Sequence, residues 1–309
     1  MRGISRSTPG RTGDQLMVER VIVAVDGGPA SRAALNWALA RAEQVPLHLE
    51  LTTVVELGWS PVGGPEDDFQ PVYERALAEA SRYVAQNFPE VKATSVVRRG
   101  APVDELVRAS AEADLLVIGT NKTSALVGAV HGTLPLRLAA HALCAVAVIP
   151  ADWVSRGEKV VVGIEDDGTM DAPLEFAVAE AARRGVPLEL VHAWSIPATL
   201  GVDFGAAVPF DALVEAHEDI VLRAFQRVRS DHPSVVASTS LLQGPAAPAL
   251  VEAAATAALL VVGTHGRGAV AGLILGSVSH DVLLNMPCPV IVVPRSRRAA
   301  EQSGSGASS

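Results

Sequence analysis

Asp114-Leu115-Leu116-Val117-Ile118-Gly119-Thr120-Asn121-Lys122 is an apolar run that breaks at a glycine, and nine residues later Gly132-Thr133 opens a helical pattern. The frame returns as Leu259-Leu260-Val261-Val262-Gly263-Thr264-His265-Gly266, nine further residues, and Gly276-Ser277. The spacing is constant: 263 minus 119 and 276 minus 132 both give 144, and Cys144 and Cys288 stand at the same separation. A short, uniformly apolar run before a glycine turn and a helix predicts a strand buried on both faces.

Working outward, each half reads as the same alternation. Val21 to Asp26 is a strand, and Gly27-Gly28-Pro29 turns the chain into a helix over 30–44, with Ala34, Leu35, Ala38, Leu39 and Ala42 on one face. Strands follow at Leu47 to Val55, Ala93 to Val97, Asp114 to Gly119 and Ala145 to Ile149, with helices from Pro71 to Asn87, Pro102 to Ala111 and Thr133 to His141 between them. The second half predicts strands at Val160 to Glu165, Pro187 to Trp194, Val235 to Leu241, Leu259 to Gly263 and Pro289 to Val293. Its helices run over Ala172 to Arg184, Phe210 to Arg229 and Pro248 to Ala257, and from Ser277. Gly/Pro-rich stretches at Gly58 to Asp68 and Gly201 to Pro209 read as loops. The expected architecture is α/β, with two tandem, doubly wound, parallel five-stranded sheets of Rossmann-like kind. The expected boundaries are 18–150 and 158–294, with a linker at 151–157 and disordered ends at 1–17 and 295–309. Met17 stands as an alternative start.

The formal charge of −9 argues against a nucleic-acid partner, which needs a basic face. It leaves nucleotides open, because a nest of backbone amides binds phosphate in an acidic protein. No apolar run reaches membrane-spanning length, and the N-terminal residues lack a leader's apolar stretch, so the expected location is cytoplasmic. Cys144 and Cys288 read as small buried hydrophobes, and no zinc-type spacing is present.

Doubly wound sheets bind ligands at the carboxyl ends of their strands, so chemistry is expected at Gly119 and Gly263. Glycines let the backbone approach an anion, and the helices opening at Thr133 and Ser277 offer free N–H groups and a positive dipole end. Ser277 can either cap its helix or donate to a phosphate. The frame is neither a Walker loop nor a dinucleotide fingerprint, and read alone it also fits a plain loop before a capped helix. His131 and His265 have no Ser/Asp partner spacing that supports a catalytic triad. Trp37 and Phe176 occupy matching helix positions (176 minus 37 gives 139) and read as core; Arg98-Arg99 reads as surface charge.

Gly-x2-Gly-x9-Gly-Ser/Thr, with Val23-Ala24-Val25-Asp26-Gly27-Gly28 at the opening and Pro287-Cys288-Pro289-Val290-Ile291-Val292-Val293 at the close, resembles the universal stress protein family in both halves. The resemblance implies an ATP-binding fold of the adenine nucleotide alpha hydrolase kind, with halves paired through their last strands as a pseudo-twofold pair. It implies ATP as the cofactor and a role in stress survival, growth arrest or dormancy; whether Mg²⁺ accompanies the nucleotide is left open, though ATP usually brings it, and no metal-ligating residue is expected. It places phosphate at Gly119, Gly132 and Thr133 in the first half, where Lys122 breaks the match but offers its ammonium to a phosphate as a point charge, and at Gly263, Gly266, Gly276 and Ser277 in the second. It places ribose and adenine at Asp26 and Val54, and at Glu165 and Ala193. Each half departs once. Lys122 stands where the second half has Gly266, and Glu165 stands where the first has Asp26. The resemblance fits a nucleotide-responsive regulator with two unequal sites. A slow ATPase or adenylyl-transfer enzyme and a nucleotide-free dimerisation module are the alternatives, and a further homodimer is left open.

Overall fold

The computed structural model describes residues 18–56, 70–121, 133–155, 157–166, 170–195, 210–264 and 275–294. The first half runs β1 (Glu19–Ala24), α1 (Pro29–Ala42), β2 (Leu47–Val55), α2 (Gln70–Asn87), β3 (Lys92–Arg99), α3 (Pro102–Ser110), β4 (Leu115–Thr120), α4 (Thr133–His141) and β5 (Ala145–Pro150). The second runs β6 (Val160–Gly163), α5 (Asp171–Arg184), β7 (Leu188–Trp194), α6 (Phe210–Asp231), β8 (Ala237–Gln243), α7 (Ala246–Ala253), β9 (Leu259–Gly263), α8 (Ser277–Leu284) and β10 (Val290–Val293). The expected loops at Gly58 to Asp68 and Gly201 to Pro209, and both chain ends, lie outside the described residues.

The strands form one sheet in the order β3-β2-β1-β4-β5-β10-β9-β6-β7-β8. Every pairing within a half is parallel, as alternating strands and helices require. The pairing between halves, β5 with β10, is antiparallel, with Val290 opposite Val148 and Ile291 opposite Ala147. The two doubly wound sheets are thus continuous, and their most apolar strands cover each other instead of forming open edges.

Because successive strand side chains face opposite sides, neighbouring apolar residues enter different cores. Leu115, Val117, Ala147, Leu190 and Ile291 join α1, α2, α5 and α6 on one face. Leu116, Ile118, Val146, Leu260 and Val292 join α3, α4, α7 and α8 on the other. Both cores run across the β5–β10 seam, and each fully buried Val, Leu or Ile contributes roughly 1.5–3 kcal/mol. Trp37 is core, with Phe176 packed at the margin of the same cluster. Cys144 and Cys288 are buried, and burial pushes each thiol up to about 12, which keeps both protonated and unreactive at neutral pH.

Several elements differ in extent from expectation. β1 and β6 end at Ala24 and Gly163, short of the acidic residues. The ladder gives one more bond in each, Val25 N–H to Thr52 O and Ile164 N–H to Val191 O. Asp26 then leaves the strand because its Oδ1 accepts the Gly28 N–H at 2.8 Å, a side-chain turn. α7 begins at Ala246, since Pro248 falls in the first turn, where no intrahelical N–H is needed. Arg98 is no free surface charge: it is half-buried and donates to Glu50 Oε1 at 2.9 Å.

Candidate functional site

In the first half a cleft of about 320 Å³ opens where β1, β2 and β4 end. β1 pairs with β2 on one side and β4 on the other, so this is the point where the winding direction switches. Ala24, Val25 and Asp26 form one wall, Thr52, Thr53 and Val54 the next, and Gly119, Thr120 and Asn121 the third. Ser31 from α1, Tyr73 from α2 and Leu134 from α4 complete it. The expected ribose and adenine positions, Asp26 and Val54, therefore share one cavity with Gly119. Asp26 is exposed, with one carboxylate oxygen held by the Gly28 amide.

Two glycines there have steric reasons. Gly27 has φ 82°, and a Cβ on it would stand 2.8 Å from the Ala76 Cβ. A Cβ on Gly119 would stand 2.0 Å from the Ala30 carbonyl oxygen and 2.8 Å from the Ser31 nitrogen. Gly119 is bare because β4 ends against the first turn of α1. That contact brings an uncapped helix start, with its unbonded amides, to the rim of the cleft.

Thr53 carries the most informative atom of the cleft. The residue is 1% exposed, and its Oγ1 is buried with no hydrogen-bond partner among the described residues. An orphaned buried hydroxyl is costly and calls for an explanation. Lys122 and Gly132 lie outside the described residues, and Thr133 opens α4.

The second half builds the corresponding region differently. Glu165 is half-buried just past β6, and Ala193 is half-buried near the end of β7. At the positions equivalent to Thr53 and Tyr73 stand His192 and His217 (192 minus 53 gives 139; 217 minus 73 gives 144). His192 is 2% exposed; its Nδ1 lies 2.8 Å from Ile164 O, and its Nε2 lies 2.9 Å from His217 Nδ1. A carbonyl only accepts, so His192 donates from Nδ1, and in the neutral ring Nε2 accepts from His217. Trp194 stacks on His217 at 4.8 Å and 17°. The first half leaves a hydroxyl unsatisfied where the second has a bonded imidazole pair.

The glycine frame of the second half is tied at its base. Thr264 N–H donates to Val293 O, Gly276 N–H donates to Thr264 O at 2.8 Å, and Ser279 Oγ donates to Gly263 O at 2.5 Å. Gly263, Gly276 and Ser277 are thereby brought together, while Gly266 and His265 lie outside the described residues. Gly276 is the N-cap of α8 and no side chain caps it. Ser277 is therefore the exposed first residue of the helix, and its hydroxyl is not spent on capping.

The model of the universal stress protein family matches residues 17–150 and 157–294. The chain belongs to the universal stress protein family. Universal stress protein Rv1996 of Mycobacterium tuberculosis is 33% identical, over 88% of this chain and 94% of that one. Universal stress protein Rv2005c of the same organism is 31% identical, over 89% and 97%. The crystal structure of a universal stress protein from Archaeoglobus fulgidus superposes with a TM-score of 0.67 at 19% identity, covering 91% of this chain and 97% of that chain, which establishes likeness of fold. For this member of the family, no described helix is long and apolar enough to cross a membrane, and no three described His, Cys, Asp or Glu converge as metal ligands.

Sequence reasoning missed the Thr53 and Tyr73 pair and its His192 and His217 counterpart. The signal was available at one position, since Thr53 recurs as His192 at the 139-residue spacing that relates Asp26 to Glu165; Tyr73 and His217 lie on α2 and α6 and are related by 144. It also missed Arg41 and Glu180, four residues beyond the matched Trp37 and Phe176.

Proposed function

We propose that this universal stress protein is a cytoplasmic, adenine-nucleotide-responsive regulator of stress survival or growth arrest, with ATP in the first-half cleft. Residues 18–150 and 158–294 are its two units, joined by 151–157. The observation that carries this reading is the buried, partnerless Thr53 hydroxyl in a cleft at the switch point, beside Asp26 and the first turn of α1. Asp26 offers a carboxylate oxygen to ribose, Val54 its backbone to adenine, and Asn121, Lys122, Gly132 and Thr133 approach the phosphates. Mg²⁺, if it accompanies ATP, is held through phosphate oxygens and water. The second site, around Glu165, Ala193, Gly263, Gly266, Gly276 and Ser277, is the weaker or differently selective one, because imidazoles stand where the first site has hydroxyls.

Calorimetric titration of ATP into Thr53→Val tests this. The change keeps the shape and removes one hydrogen-bonding group, so affinity falls about five- to tenfold. The folded protein is no less stable, because an orphaned buried hydroxyl disappears. Unchanged ATP affinity in Thr53→Val and in Asp26→Ala removes the first cleft as the site. Gly119→Asp is uninformative, since any side chain there meets the Ala30 carbonyl. Phosphate release on incubation with ATP, abolished by Asp26→Ala, marks the ATPase alternative instead.

A further inference from the structure

The β5–β10 seam tells one half from the other by little more than the size of one axial side chain, Ile291 against Ala147. Ile291 pairs with Ala147, its own equivalent in the repeat (291 minus 147 gives 144), and Val290 and Val292 pair with Val148 and Val146. Residues that touch their own equivalents stand on the pseudo-twofold axis. The seam consists of backbone hydrogen bonds and small aliphatic side chains, so β5 fits a second β5 in the same register nearly as well as it fits β10.

A second pair of equivalents meets on that axis, on the α1 and α5 face. Arg41 and Glu180 are related by the helix offset (180 minus 41 gives 139), and Arg41 Nη1 donates to Glu180 Oε1 at 2.5 Å. Their side chains are 2% and 0% exposed. Arg41 also forks onto Glu19 at 2.7 and 2.8 Å, while Glu180 accepts from Arg183 and, at 3.2 Å, from Arg184. The Arg41 and Arg184 guanidinium groups each lie 5.7 Å from the Trp37 ring centre, so a cation from each half packs on one indole.

We propose that Arg41–Glu180 is the specificity device of the half-to-half interface: it makes the first half accept a second half and reject a copy of itself. In a first-half pair the same symmetry brings two buried guanidinium groups together, each left with Glu19 alone, and in a second-half pair two buried carboxylates, each left with Arg183 and Arg184 alone. A buried charge that loses its partner is strongly penalised, whereas a buried pair replaced by apolar groups is tolerated. The pair therefore selects the partner more than it stabilises the fold.

Disulfide trapping in the full chain tests this. The substitution Ala147→Cys sets a thiol opposite its own copy across a self-paired β5, at the Cα separation a disulfide accepts. In the otherwise native chain β10 covers that position, and a disulfide-linked peptide joining position 147 of two chains is absent on mass mapping. In the same chain carrying Arg41→Met and Glu180→Leu, discrimination falls by about 10²–10³-fold, the loss that accompanies removal of a buried charge partner, and the linked peptide forms. Glu180→Gln, which keeps the side chain's shape and packing, gives an intermediate yield and guards against misfolding of the double variant. A cooperative melt with no linked peptide in Glu180→Gln and in the double variant overturns the proposal; it would leave the ion pair as packing alone.

Discussion

The two halves share a backbone plan yet differ in how they satisfy the same buried positions. The first half keeps Thr53 and Tyr73 beside an open cleft and leaves a hydroxyl orphaned. The second half places His192 and His217 there and bonds them to each other and to Ile164. The strand cores, which the fold decides, remain Val, Leu, Ile and Ala in both halves.

The largest way to sharpen the contrast is at a fully buried charged contact whose sign differs between the halves. Glu180→Leu leaves Arg41 with Glu19 alone, also strips Arg183 and Arg184 of their carboxylate, and costs about 3–5 kcal/mol in chemical denaturation. The pH dependence follows the same group. Burial alone raises the Glu180 pKa, but Arg41, Arg183 and Arg184 override it and hold the carboxyl below its ordinary 4.5. A lowered folded-state pKa gives stability that is present above 4.5 and lost as pH falls through the depressed value. The acid limb of the stability curve is therefore shallower in Glu180→Leu than in the native chain; identical limbs break the assignment.

A smaller effect separates the clefts directly. His192→Val removes the imidazole's bonds to the Ile164 carbonyl and to His217 and costs about 1–3 kcal/mol. Thr53→Val, at the equivalent position, costs nothing or stabilises by a few tenths of a kcal/mol. Opposite signs at one repeat position, read from thermal melts, support the comparison, and equal losses refute it.

The order of strands and helices was legible because apolar runs, glycine turns and helical spacing all agreed over each half. Strand ends were less so: Asp26 looks like the last strand residue but is drawn into a turn by the Gly28 amide. Gly119 reads as a phosphate glycine, yet its bare Cα answers first to the Ala30 carbonyl. One residue type served two causes, and only geometry separates them. Arg41 and Glu180 were opaque for a different reason. Nothing local distinguishes them from solvated helix charges; their meaning comes from the symmetry axis that brings positions 139 apart into contact.

The antiparallel seam has one more consequence. Within each half all strands run the same way, and the seam reverses that direction. The carboxyl ends of β1, β2 and β4 thus leave the sheet on one rim, and those of β6, β7 and β9 on the other. The molecule is two-ended: a partner gripping one rim leaves the opposite mouth open, and word of what fills one reaches the other through the shared sheet, its seam and the helices packed across it.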